Sequence, residues 1–115
     1  MISTFLHGVI DYLVGAALVA APFLFGFADG GAAQWATTAM GVVAFIYSLL
    51  TDYELGALRL LPMRVHLGID LAFAPLLMAL PWLFGFADQV WLPHLILGAG
   101  GVVVTALTWA GLRRA

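Results

Sequence analysis

Two histidine–aspartate pairs carry the chemistry that this sequence could perform. His7 lies four residues before Asp11, and His66 lies four residues before Asp70. On a helix, residues four apart share one face, so each pair would present an imidazole beside a carboxylate. Because a carboxylate orients an imidazole for proton transfer or metal binding, the four residues form a candidate relay, or a ligand site where two halves of the chain meet.

The same four side chains admit a structural interpretation, which polar cross-links in helical bundles make the favoured one. Each Asp would accept a hydrogen bond from its own His or from the other pair, and so tie helices together. We therefore expect no resident cofactor. Two alternatives stay open: His7 and His66 as axial ligands of a haem, or two His and two Asp around zinc or another divalent metal.

Composition places these pairs in a membrane. The 115 residues are 64% hydrophobic and 9% charged, whereas a typical soluble chain is about 25% charged. About 20 apolar residues cross the roughly 30 Å of hydrocarbon in a bilayer. Four segments meet this requirement, at residues 5–27, 33–50, 64–86 and 91–112.

An internal repeat organises these four spans. The ungapped shift that brings His66 onto His7 also brings Asp70 onto Asp11, and it makes residues 22–29 agree with residues 81–88 at seven of eight positions. The same shift matches residues 41 and 43 to residues 100 and 102. The repeat signature consists of Pro22, Phe25, Gly26, Phe27 and Asp29 in the first copy and Pro81, Trp82, Phe84, Gly85, Phe86 and Asp88 in the second.

Each repeat unit holds two spans, so both units share one orientation in the membrane. The predicted fold is all-α: a four-helix bundle of two tandem helical hairpins, related by a pseudo-twofold axis along the membrane normal. Residues 1–115 form a single membrane domain, with unit one at 1–50, a link at 51–63 and unit two at 64–115. Positions 7, 11, 18, 22, 25 and 29 follow the helical period and should face the interior.

Several features lie outside the candidate site. Thr51 and Glu54 have capping-box spacing, which predicts a short interfacial helix in the link or an extension of the second span. Pro22 and Pro81 should kink or end their helices. The signature phenylalanines should anchor in the interface and the two signature aspartates should cap turns. His94 should be an interfacial hydrogen-bonding group.

Orientation follows from the basic residues, which all lie in or beside the link or at the chain end: Arg59, Arg64, Arg113 and Arg114. The positive-inside rule then places both termini and the link in the cytoplasm, and the chain in the inner membrane. Aromatic residues suggest two belts, with Trp35, Trp82 and Trp91 on the outer side and Tyr47, Tyr53 and Trp109 on the inner side.

The second signature, Pro-Trp-Leu-Phe-Gly-Phe at residues 81–86, resembles the SPW repeat family of small bacterial membrane proteins. That family is named for a Ser-Pro-Trp motif in the first of two transmembrane helices. The upstream His-x-x-x-Asp and the downstream Trp91-x-x-His94 are also similar to the family. The motif's Ser is Leu80 here, and Ala21 in unit one, where Phe23 replaces the Trp. The resemblance implies the topology and no particular activity.

No catalytic motif accompanies the candidate site. The chain lacks cysteine, a phosphate-binding loop and a zinc-protease signature, and it carries no basic stripe for nucleic acid. We expect a non-enzymatic membrane protein of structural or accessory type, with the lipid bilayer and a homo-oligomer or another membrane protein as partners. The alternatives are a small transporter or proton-coupled channel that uses the His/Asp cluster, and a haem- or metal-binding redox protein.

Overall fold

Four helices account for most of the chain in the computed structural model, which describes residues 1–114. They are α1 (Thr4–Leu24), α2 (Ala32–Leu49), α3 (Met63–Leu83) and α4 (Leu92–Arg114). All four are long and apolar enough to cross a membrane. The bundle is 44 Å long, which matches the roughly 40–45 Å of a bilayer with its headgroups. The all-α, four-span prediction is confirmed.

The helices pack as two hairpins. α1 lies against α2 and α3 against α4, and the hairpins meet where α1 touches α4 and α2 touches α3. One end of the bundle, here called the turn end, carries the two hairpin turns; the opposite end, the termini end, carries the link. A buried apolar cluster fills the turn half of the bundle: Leu18, Ala21, Phe27, Ala33, Met40, Leu77, Leu80 and Phe86.

The repeated signature is a helix-terminating motif. α1 stops at Leu24, Gly26 takes a left-handed φ of 75°, and the Phe27 amide donates to the Pro22 carbonyl oxygen at 2.8 Å. This is the Schellman pattern, in which glycine removes the steric cost of the left-handed residue and an apolar side chain follows it. α3 ends in the same way, with Gly85 at a φ of 72°.

The signature phenylalanines divide into two kinds, which corrects their assignment as interfacial anchors. Phe27 and Phe86 follow the left-handed glycines and are buried, whereas Phe25 and Phe84 are exposed. The end of α1 also shortens the stripe of positions that was predicted to face the interior. Positions 7, 18 and 22 are buried and position 11 is half-buried, but Phe25 and Asp29 are exposed because α1 has already ended.

The ungapped repeat is wrong in the second helix of each unit. A Cβ on Gly41 would meet the Gly15 carbonyl oxygen at 2.9 Å, and one on Gly98 would meet the Ala74 carbonyl oxygen at 2.7 Å. Gly15 and Ala74 are related by the same shift as His7 and His66, but Gly41 and Gly98 lie two positions closer together in sequence. Gly41 therefore corresponds to Gly98 and not to Gly100, because the stretch from the end of α1 at Leu24 to Gly41 is two residues longer than the stretch from the end of α3 at Leu83 to Gly98.

Residues 51–62 of the link form no helix and α2 ends at Leu49, so both predictions for the link, a short interfacial helix or an extension of the second span, are wrong. Its chain doubles back, with the Asp52 amide donating to the Leu61 carbonyl oxygen at 2.7 Å. The Thr51 hydroxyl donates to the Tyr47 carbonyl oxygen at 2.6 Å instead of capping a new helix. Arg59 also takes a left-handed φ of 49°, which is incompatible with a continuous right-handed helix.

Candidate functional site

The two His–Asp pairs converge into one buried cluster near the termini end. His7 and Asp11 come from α1, and His66 and Asp70 come from α3. His7 and His66 are 1% and 0% exposed. One ligand atom from each of the four residues lies within 4.8 Å of the other three. The pseudo-twofold arrangement thus brings together equivalent residues from the two halves of the chain.

The shorter contacts in this cluster join different repeat units. His7 Nε2 lies 2.9 Å from Asp70 Oδ2 and 3.2 Å from Asp11 Oδ1. His66 Nε2 lies 3.0 Å from Asp11 Oδ2 and 3.3 Å from Asp70 Oδ2. Both Nε2 atoms therefore face both carboxylates, and the four residues form one shared group.

Two threonines orient the imidazoles by bonding to their Nδ1 atoms, while the Nε2 atoms face the carboxylates. Thr108 Oγ1 lies 2.8 Å from His7 Nδ1, and Thr51 Oγ1 lies 2.6 Å from His66 Nδ1. Each threonine hydroxyl donates its proton to a carbonyl oxygen four residues earlier in the chain. The hydroxyl oxygen is therefore left to accept from Nδ1–H. His7 Nε2 also donates a proton to Asp70 Oδ2 at 2.9 Å. When the Nε2 proton leaves, the neutral imidazole with its proton on Nδ1 directs the lone pair of Nε2 into the cluster.

His66 Nε2 has no hydrogen-bond partner of adequate geometry although it is fully buried. The carboxylate oxygen of Asp11 is near enough for an ion pair, at 3.0 Å, but it is not placed along a donated N–H. Because hydrogen bonds weaken steeply when they bend, this contact is an electrostatic one and not a hydrogen bond. This nitrogen thus points into the cluster without a well-aligned hydrogen-bond partner.

Two tyrosines bind the carboxylates. Tyr47 Oη donates to Asp70 Oδ1 at 2.5 Å, and Tyr53 Oη donates to Asp11 Oδ2 at 2.9 Å. Tyr53 lies in the link, where burial raises the pKa of its phenol well above the ordinary value and the Asp11 carboxylate raises it further, against an opposing influence of the nearby Ser48 hydroxyl. Tyr53 therefore remains a hydrogen-bond donor over the whole neutral pH range. Both tyrosines are buried, which corrects their assignment to an aromatic belt.

A cavity of about 40 Å³ adjoins the cluster. His7, Asp11 and Asp70 lie at its polar end, together with Tyr47 and Thr105. The remaining lining comes from all four helices and is apolar: Ile10, Val14, Ala44, Phe73, Ala74, Leu77, Leu97, Gly101 and Val104. His66 does not line it, so the cavity reaches the cluster from one side.

A second buried polar contact lies near the turn end. Thr37 Oγ1 is 2.7 Å from His94 Nε2, and both residues are fully buried. The imidazole packs between Phe27 and Phe86, with ring centroids 6.0 and 5.3 Å away. His94 is therefore an interior residue, and the expectation of an interfacial group is wrong.

The threonines and tyrosines around the cluster were not predicted as site residues. Thr51 and Thr108 have the same separation in sequence as Gly41 and Gly98, so they are equivalent positions of the two units. The ungapped alignment, which pairs His7 with His66, does not pair these threonines. A two-residue gap in the turn alignment would have revealed both. Tyr47 and Tyr53 have no aromatic equivalent in the second unit, so the repeat gives no signal for them.

Comparison with known families accords with this architecture. The family model described as the SPW repeat domain matches residues 5–108. The chain belongs to the SPW repeat family. The match to this SPW repeat protein runs from the start of α1 nearly to the end of α4, and so includes the cluster, both hairpins and the link. No curated protein and no solved structure matches the chain.

Proposed function

We propose that this multi-pass membrane protein binds one divalent transition-metal ion through His7, Asp11, His66 and Asp70. The observation that carries the proposal is the convergence of four ligand atoms within 4.8 Å while the opposite nitrogen of each imidazole is held by a threonine. A metal-bound His usually donates its other N–H to an oxygen acceptor, which fixes the tautomer that ligation requires.

The spacing of the ligand atoms supports a tetrahedral ion. Zinc bonds to nitrogen and oxygen are about 2.0–2.2 Å long, so neighbouring ligands in a tetrahedron lie about 3.3–3.6 Å apart. The four nitrogen-to-oxygen distances run from 2.9 to 3.3 Å. Asp11 contributes Oδ1 to one of these contacts and Oδ2 to another, and the four ligand atoms lie within 4.8 Å of one another, so a bound ion would have to draw the most distant of them together.

Charge supports the same proposal. Two carboxylates buried between membrane helices are costly unless positive charge compensates them. A divalent ion bound by two Asp and two neutral His gives a net charge of zero. Imidazole and carboxylate ligands without a thiolate favour zinc, iron or manganese over copper(I).

A single ion fits the available space better than a haem does. The His7 and His66 rings are 5.3 Å apart between centroids and nearly perpendicular, with both carboxylates against their Nε2 atoms. The adjoining cavity is about 40 Å³, while pockets for drug-sized ligands are about 300–1,000 Å³. The alternatives to a metal site are therefore a proton relay or a structural cross-link made by protonated histidines.

The test is the metal content of the purified protein. Wild-type protein in detergent is loaded with Zn²⁺, Fe²⁺ or Mn²⁺, desalted and analysed by elemental mass spectrometry. We expect about one ion per chain. Asp70→Asn and His66→Gln should lose it, whereas the matched controls Asp88→Asn and His94→Gln, which alter residues outside the cluster, should retain it.

Loading with Co²⁺ gives an independent readout, because tetrahedral cobalt absorbs visible light much more strongly than hydrated cobalt. The wild-type protein should develop these bands and Asp70→Asn should not. A wild-type protein that folds as a monodisperse species but retains none of these metals would refute the proposal and favour the structural cross-link.

A further inference from the structure

The cavity beside the cluster approaches the ligand atoms from one side. Its polar end is formed by three of the four candidate ligands, His7, Asp11 and Asp70. A four-coordinate ion with protein ligands on every side would have no exchangeable position. Here the side that faces the cavity is free of protein atoms, and zinc-like ions accept a fifth ligand.

The size of the cavity limits what can enter. Its volume is about 40 Å³, whereas one water needs about 10–15 Å³ by this kind of measure. There is room for a molecule of two or three heavy atoms. Ala44, Ala74 and Gly101, one each from α2, α3 and α4, create this room by their small side chains.

The chemistry of the walls narrows the choice further. A buried water needs two to four polar partners, but beyond the cluster and the adjacent Tyr47 and Thr105 the lining is apolar. An anion would add a charge to a site in which the two aspartates already neutralise a divalent ion, and an uncompensated charge in this environment is costly. The lining therefore favours a small neutral molecule that binds the metal at one end and contacts apolar walls at the other.

We infer that the cavity admits a neutral diatomic molecule as an additional ligand to the metal. The inference rests on the proposed function, because it requires the ion. It assigns to Ala44, Ala74 and Gly101 a role in ligand access that is separate from metal binding. Nitric oxide is the probe, because its complex with Fe²⁺ has a distinct electron paramagnetic resonance signal.

The experiment titrates nitric oxide into the anaerobic, Fe²⁺-loaded full-length protein. Wild-type protein should give the iron–nitrosyl signal with saturation at about one per chain. Gly101→Ala should weaken binding about 10-fold or more, since one methyl group in a tight pocket changes binding by about 10- to 200-fold. The Cβ of this variant would lie 3.2 Å from the Ala74 Cβ, at the cavity wall.

Gly100→Ala is the matched control. It makes the same substitution at the neighbouring residue of α4, where an added Cβ meets nothing within 4 Å, so nitric oxide should bind as in the wild type. A second pair of variants keeps the test valid if Gly101→Ala disturbs helix packing. Ala44→Val narrows the cavity from α2 and should weaken binding, whereas Ala39→Val, on the exposed face of α2, should not.

Iron content is measured in every sample and separates the two proposals. If wild-type protein retains iron but gives no nitrosyl signal, the ligand inference is overturned and the metal site stands. Equal nitric oxide affinity in the wild type, Gly101→Ala and Ala44→Val also overturns it. If wild-type protein retains no iron, zinc or manganese, both proposals fall.

Discussion

Thr51 and Thr108 connect the chemistry of the imidazoles to the backbone. Each hydroxyl bonds an Nδ1 atom and a helical carbonyl oxygen at once. Each threonine also belongs to the opposite hairpin from the histidine it contacts, or to the link that follows that hairpin. The tautomer of either histidine is thus controlled from outside its own repeat unit.

We predict that Thr51→Val weakens metal binding about 10- to 100-fold, the usual cost of removing a hydrogen-bond partner of a ligand. The valine keeps the shape of the side chain and leaves the buried His66 Nδ1 without an acceptor. Competition with a chromophoric chelator measures the affinity. Thr51→Ser should restore it, and Thr38→Val, outside the cluster, should leave it unchanged. Full affinity in Thr51→Val would show that the hydroxyl does not orient the ligand.

Tyr53 gives a prediction on pH. Its pKa is raised in the folded protein, so the folded state holds the phenolic proton after an unfolded chain, with a pKa of about 10, has lost it. The stabilising contribution is complete below pH 10 and declines as pH rises beyond that value. Tyr53→Phe lacks both the hydrogen bond to Asp11 and this decline.

The difference in unfolding midpoint between the wild type and Tyr53→Phe should therefore be largest at pH 7–9 and narrow towards pH 11. At neutral pH the variant should be less stable by about 2 kcal/mol, because it loses a hydrogen bond to a charged group. Thermal unfolding across this pH series measures the effect. A difference that stays constant to pH 11 would contradict the raised pKa.

At the scale of elements, the two glycine-terminated helix ends shape the turn end. Gly26 and Gly85 have φ values of 75° and 72°, and no atom lies within 4 Å of an added Cβ at either position. A substitution there meets a conformational cost without a steric clash. Substitutions at these glycines therefore measure how much the left-handed conformation contributes to the free energy of unfolding, without a contribution from altered packing.

Gly26→Ala and Gly85→Ala should each lower the free energy of unfolding by about 1–2 kcal/mol, the cost of the left-handed conformation for a residue with a Cβ. Reversible unfolding in mixed micelles measures the change. Gly68→Ala provides the control, because this glycine lies inside α3 with open space around it and alanine favours a helix. Equal stability of Gly26→Ala and Gly68→Ala would refute the motif.

The elements also show where sequence reasoning stops. Apolar runs and the internal repeat predict four helices and their hairpin order, because these depend on period and repetition. They do not decide whether the two His–Asp pairs form one shared group or two local pairs. The spacing between the two helices of a unit depends on how the chain is bonded in the turn, as at Asp29, Gly30 and Gly31, and this bonding leaves no trace in hydropathy. The change of register after this turn, and with it the equivalence of Thr51 and Thr108, is therefore hidden.

The conformation of the link was predicted wrongly for a related reason. The spacing of Thr51 and Glu54 matches a helix cap, but the Thr51 hydroxyl is already engaged by Tyr47 and His66. Glu54 instead accepts from the Thr4 hydroxyl at 2.8 Å. Tertiary contacts of this kind outweigh a local propensity worth about 1 kcal/mol.

At the scale of the whole molecule, the cluster joins the two hairpins. Each hairpin contributes one His and one Asp, and the hairpins otherwise meet through α1 with α4 and α2 with α3. A metal ion bound here would link both halves and would stabilise the folded state by mass action.

Zinc should therefore raise the unfolding midpoint of the wild-type protein in detergent. Free zinc at 100 times its dissociation constant contributes about 2.7 kcal/mol. Asp70→Asn should show no response, and Asp88→Asn should respond as the wild type does. Differential scanning fluorimetry with and without zinc measures the shift, and equal shifts in the wild type and Asp70→Asn would place the stabilising ion elsewhere.

Orientation in the membrane is a separate prediction. The chain has no cysteine, so single cysteines can be introduced without a background signal. Asp88→Cys in the second turn should react with a membrane-impermeant maleimide added to intact cells. Asp52→Cys in the link should react only after the membrane is opened, because the link is predicted to be cytoplasmic. The reverse pattern would invert the topology.

The contacts of the cluster join residues of different repeat units, and this arrangement also has a genetic consequence. A duplicated segment normally provides a spare copy that is free to change while the other maintains the original role. Here His7 relies on Asp70 and Thr108 from the second copy, and His66 relies on Asp11 and Thr51 from the first. Neither copy can substitute for the other, so the duplication produces complementary partners in place of redundancy, and loss of the site requires a change in only one of them.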